Sequence, residues 1–189
     1  MTPLTHRIAD LMFPLDEFYA EHGDAVPLVE PVDGALVPPP YRDLLVHERD
    51  MTSTLEEHFG EAIRLRLLEV RRDGSWLRRQ VVLITDGAER PVEYGAIRID
   101  LSAFGPAAVK SIIDCRRPLG AILREFKVAH FCRPSAFFRF RSDPTTRSVF
   151  DLQSEMTLYG RHTLLSGHDD RTLAEVVEIL PPIESSESR

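Results

Sequence analysis

Lysine is nearly absent from this chain of 189 residues: it stands only at 110 and 127, and every other cationic side chain apart from histidine is arginine. Genome composition alone produces such a bias. Arginine is also the side chain that forks onto the carboxylates of a small anionic ligand, and composition does not separate the two explanations. Cysteine is scarce as well. Cys115 and Cys132 are too few and too far apart for a disulfide framework or a zinc site, which makes a reducing cytoplasm the default compartment. An excess of positive charge is missing: the net charge is −7 at pH 7, arguing against a general nucleic-acid or anionic-membrane binder. No apolar run approaches the ~20 residues of a membrane span. The N-terminus, with acids at Asp10 and Asp16, lacks the continuous apolar region of a secretion signal. There is no phosphate-cradling glycine loop and no nucleophile elbow. Of the seven histidines, His162 and His168 are six apart, and neither has a partner at metal-ligand spacing.

What is present is an ordinary globular balance of 43% apolar and 28% charged residues, in a chain of one-domain length. A domain of this size buries roughly 70% of its unfolded surface and needs no staple. Residues 1–40 read as an N-terminal helical extension, broken at Pro14, followed by a Pro/Gly-rich connector ending in Pro38-Pro39-Pro40. Residues 41–182 form the body and 183–189 a polar tail. Short helices are expected at 41–46 and 51–60, the latter closed by Gly60. The period then changes to two, predicting strands over 63–70, 76–84 and 92–101 separated by turns at 71–75 and 86–91. Helices at 106–113 and 118–126 precede strands at 135–140, 153–165 and 173–180. The fold class is α+β, an antiparallel sheet with helices on one side.

Two strands carry charge where alternation demands burial. In 173–180, Glu178 shares a face with Ala174, Val176 and Leu180, and Glu175 shares the other with Leu173, Val177 and Ile179. In 76–84, Arg78 lies with Trp76, Gln80, Val82 and Ile84, while Arg79 lies with Leu77, Val81 and Leu83. One of these arginines points into an apolar interior, and periodicity does not say which. Glu93 faces the same way as Ile97 and Ile99. A buried charge costs several kcal/mol unless paired. The set is therefore either a structural arginine–glutamate pairing or a pocket with an arginine for a carboxylate and a glutamate for chemistry.

The order of short motifs then adds a resemblance. Asp50-Met51-Thr52, Trp76-Leu77-Arg78, the Asp86-Gly87 turn, Pro118-Leu119-Gly120, Leu158-Tyr159-Gly160-Arg161 and Val177-Glu178-Ile179-Leu180-Pro181 follow one another as in the chorismate pyruvate-lyase family, over roughly residues 44–182. The resemblance implies a six-stranded antiparallel sheet with helices covering an internal ligand cavity, and no metal or organic cofactor. It implies elimination of pyruvate from chorismate to give 4-hydroxybenzoate; a monomer in the cytoplasm is the default expectation beside it. Arg78 would hold the ring carboxylate and Glu178 meet the ring hydroxyl as the catalytic pair. Met51 would contact the ring, and Leu119 and Gly120 would supply the backbone contact. Arg161 or Arg79 would receive the second carboxylate, and Glu93 would stand beside the ligand. Trp-Leu-Arg is followed by Arg79 where the family has glutamate, and Glu93 is an acid where the lyase has apolar residues. The same fold resembles the effector-binding domains of bacterial transcription regulators, which bind small ligands without reacting them. The acidic, proline-broken stretch before Asp50 is shorter than an ordinary winged helix needs, which favours the lyase. A third reading is a relative turned to another reaction, using Glu93 and Glu178 as a carboxylate pair. In each case the expected partner is a small anionic aromatic or pre-aromatic acid, with no nucleic acid and no membrane.

Overall fold

The change of apolar period at residue 63 marks where helices give way to the sheet. The computed structural model describes residues 11–183. Its helices are α1 (Leu15–His22), α2 (Tyr41–Leu45), α3 (Met51–Phe59), α4 (Pro106–Ile113), α5 (Leu119–Glu125) and α6 (Pro144–Phe150). Its strands are β1 (Glu30–Val32), β2 (Ile63–Asp73), β3 (Trp76–Thr85), β4 (Pro91–Asp100), β5 (Phe131–Arg141), β6 (Thr157–Ser166) and β7 (Thr172–Leu180). They form one sheet in the order β1-β5-β6-β7-β4-β3-β2, antiparallel throughout. Local signals account for the element ends. The Asp50 carboxylate accepts from the Ser53 amide at 2.9 Å to start α3, and Gly60 closes it at φ +66°.

The sheet has seven strands, not six. The additional one, β1, comes from the stretch read as connector and pairs Glu30 with Arg139 and Val32 with Phe137. Three residues are too few for an alternating pattern to declare itself. Helix α6 was also hidden, and the strand expected from residue 153 begins only at Thr157. Its signal is chemical rather than periodic: Asp143 caps the helix and Pro144 occupies the first turn.

The second correction concerns layers. Helices cover both faces of the sheet. On one face Leu15 and Phe18 of α1 and Phe150 of α6 pack with Val82, Ile84, Tyr94, Val177 and Ile179. On the other, Ile112 of α4 and Leu119 and Ile122 of α5 pack with Leu77, Ile97, Ile99 and Val176. Beside them, Leu45, Met51 and Leu55 meet Leu83, Val92 and Leu180. The α1 face is pinned further by Arg98, whose guanidinium lies 4.4 Å from the Trp76 ring and 4.6 Å from that of Phe13. Among the described residues, no helix is long and apolar enough to cross a membrane.

Strands β4 and β7 come unusually close at Gly95, opposite Glu178. A Cβ at Gly95 would lie 1.9 Å from the Val177 carbonyl oxygen, a backbone atom that cannot step aside. Gly95→Ala is expected to cost at least about 3 kcal/mol in urea unfolding, at the upper end of ordinary overpacking. A loss under 1 kcal/mol would show that the two strands part easily.

Candidate functional site

Alternation along β3 aims Leu77, Arg79, Val81 and Leu83 at the layer made by α3, α4 and α5. Between that layer and the sheet lies a cavity enclosing about 580 Å³ of unfilled space, its mouth included. Val81, Gly95, Ile97 and Val176 lie along its floor, with Leu65, Cys132 and Leu165 on the walls. The roof is the first turn of α3, Asp50-Met51-Thr52, together with Pro118-Leu119-Gly120 at the start of α5. Gly120 allows this closure, because a Cβ there would sit 2.5 Å from Asp50 Oδ1.

Of the residues singled out by sequence, Met51, Arg79, Glu93, Leu119, Gly120 and Glu178 line the cavity. Arg78 does not. It projects from the opposite face, where it pairs with Glu17 and, at 3.3 Å, with Glu21 of α1, and lies 5.9 Å from the Phe18 ring. The structure therefore does not bring Arg78 and Glu178 together. Because α1 covers that face, both arginines have somewhere partly buried to go, and only Arg79 goes into the cavity.

Arg79 is 1% exposed. Its Nε and Nη1 have no hydrogen-bond partner, and burial pulls its pKa down against a weak opposing contribution from the neighbouring Cys115 thiol. A guanidinium remains charged even so. This is a buried cation with two unused donors, on a side chain that lines the cavity.

Glu178 is the reverse case. Its Oε2 accepts from Arg161 Nε and, at 3.0 Å, from Thr163 Oγ1. Arg161 is fully buried and turns its remaining donors to backbone: Nη1 to the carbonyls of Leu45 (3.0 Å) and His47 (3.1 Å), Nη2 to that of Arg49 (3.4 Å). It is thus a strut between the sheet and the 45–49 loop, and it does not line the cavity. Burial and the Arg161 charge both lower the His47 pKa.

Glu93 sits diagonally from Glu178 on the same face, since Gly95 is Glu178's register partner. Its Oε2 has no hydrogen-bond partner. Burial first, and the Glu178 charge second, push its pKa well above the ordinary carboxylate range. In the unfolded chain this acid ionises near its usual value, while in the native state burial and the Glu178 charge hold its proton to higher pH. The native state therefore loses stability relative to the unfolded one as pH rises from about 4.5 towards the native pKa. Glu93→Gln, which cannot ionise, should flatten the stability profile over that window and exceed wild type at pH 7. Parallel profiles for the two proteins would show that Glu93 is ionised in the fold.

Cys132 was not singled out by sequence as a cavity residue. Alternation back from Phe138 and Phe140 places it on the α1 face, but an irregularity between Pro134 and Ala136 reverses the phase. Burial pushes its thiol up to about 12, so it is no nucleophile at neutral pH.

No family model and no curated protein matches the sequence. Solved structures do resemble the fold. The effector domain of PhnF from Mycobacterium smegmatis aligns at TM-score 0.53 and 14% identity, over 69% of this chain and 87% of that one. The structure of PhnF itself aligns at 0.53 and 12% identity, over 75% and 71%. The ligand-binding domain of a Bordetella bronchiseptica protein described as a GntR-family transcriptional regulator aligns at 0.47 and 14% identity, over 66% and 91%. The chain has the fold of an effector domain. This overturns the expectation of a carbon–oxygen lyase in aromatic acid biosynthesis. PhnF and its effector domain, which the fold resembles, are not described as lyases, and the arginine required by the lyase resemblance lies across the sheet from the glutamate. The likeness to an effector domain leaves the exclusion of nucleic acid as a partner unsupported, and that expectation is withdrawn.

Proposed function

We propose that this effector-fold domain binds a small organic acid in the cavity without transforming it, with the ligand's carboxylate on Arg79. The observation that carries the reading is the buried guanidinium, two of whose nitrogens have no partner, on a side chain that lines the cavity. A carboxylate would accept from Nε and a terminal nitrogen together, the bidentate geometry that makes arginine selective for planar anions. The apolar floor and walls suit a hydrophobic body.

Titration calorimetry with a panel of small aromatic and aliphatic monocarboxylates tests this. Wild type should bind some members, and Arg79→Met should bind none of them measurably. The same mixtures, followed by chromatography, should return the acids unchanged. Equal binding by Arg79→Met would end the proposal.

A further inference from the structure

The cavity's two unused polar groups stand at different places along its floor. Arg79 pairs in register with Ile97, and Glu93 with Leu83. Their positions are four residues apart along adjacent strands, about 13 Å of strand rise, with the Val81–Gly95 pair between them. Glu178, although it borders the same end, already has Arg161 and Thr163 on Oε2. The free acidic group there is Glu93.

Charge is close to balanced in this dry space. Arg79 and Arg161 are cations, and Glu178 is the anion held by Arg161. Asp50 at the roof is matched by Arg124 at 3.2 Å. One positive charge is left over. A ligand with one carboxylate neutralises it, whereas a second carboxylate leaves an uncompensated buried anion beside Glu178. A neutral carboxyl offers one donor and spare acceptor capacity, which match an alcohol or phenol.

Resting on the reading that Arg79 takes a carboxylate, we propose that Glu93 sets specificity: the cavity selects a monocarboxylate bearing an uncharged hydroxyl at its far end, across an apolar spacer, and rejects dicarboxylates. Three probes of one shape test it: 3-phenylpropanoate, 3-(4-hydroxyphenyl)propanoate and 3-(4-carboxyphenyl)propanoate. Each is titrated at pH 7 into wild type, Glu93→Leu, Glu93→Gln and Arg79→Met, all checked for folding by thermal melt. In wild type the hydroxylated probe should bind at least tenfold tighter than the other two. Glu93→Leu should erase its advantage over 3-phenylpropanoate. Glu93→Gln, which keeps a donor and an acceptor, should retain most of the advantage, and it carries the comparison should the leucine variant fail to fold.

Persistence of the advantage in Glu93→Leu, its loss in Glu93→Gln, or wild-type binding of the dicarboxylate as tight as that of the hydroxylated probe, would overturn the proposal. If Arg79→Met still abolishes all binding, the carboxylate reading survives that outcome. If Arg79→Met binds like wild type, or wild type binds no probe, both fall.

Discussion

Arg79→Met is expected to make the ligand-free domain more stable while removing its capacity to bind. A guanidinium 1% exposed with two unpartnered nitrogens has lost its water and received little in return. The effective penalty for such a buried ion is several kcal/mol. Methionine has similar reach and no charge to desolvate, and swaps of buried ionic groups for apolar ones are often neutral or stabilising by about 1–4 kcal/mol. For a chain of this size that corresponds to a rise in Tm of roughly 2–16 °C. Binding should fall at least about a hundredfold, in line with the loss of one partner from a buried charge pair. The two changes have opposite signs, which is the mark of a residue kept for a ligand and not for the fold. A drop in ligand-free Tm would assign Arg79 to the core, held by Cys115 and its neighbours.

The opposite result is expected at Arg161. Arg161→Ala should cost about 3–5 kcal/mol in denaturant unfolding, because it strands the Glu178 carboxylate in the interior. It also takes a donor from the carbonyls of residues 45, 47 and 49. Glu178→Gln should be distinctly milder, since Arg161 would keep those carbonyl acceptors and an amide oxygen in place of the carboxylate. The Arg161→Ala deficit should shrink in acid, as protonation removes the stranded charge. Equal losses in the two variants, unaffected by pH, would mean that the ion pair contributes only packing. Two arginines buried alike are thus set apart by their partners: one has all it needs, the other has almost nothing.

That contrast was beyond the reach of sequence. Alternation in β3, β4 and β7 placed Arg79, Glu93 and Glu178 among the charges on otherwise apolar faces, and the motif order pointed to a fold with an internal cavity. What alternation could not do was rank two apolar faces. Arg78 and Arg79 each have hydrophobic company because helices lie on both sides of the sheet, whereas the chain reads naturally as having them on one. Nor does spacing in β6 reveal that Arg161 reaches carbonyls more than a hundred residues earlier in the chain. The three-residue β1 and the reversal of phase near Ser135 were invisible for the same reason: a period of two needs several uninterrupted residues to be read.

The stacking of Arg98 on Trp76 has an optical consequence. Trp76 is the sole tryptophan of the chain, and its ring belongs to the α1 side, behind the sheet from Arg79, Glu93 and Glu178. Indole emission therefore records the seating of Phe13 and Arg98 and is blind to a molecule that merely occupies the cavity. A change in that emission when ligand is added would mean that occupancy on one side of the sheet had shifted packing on the other.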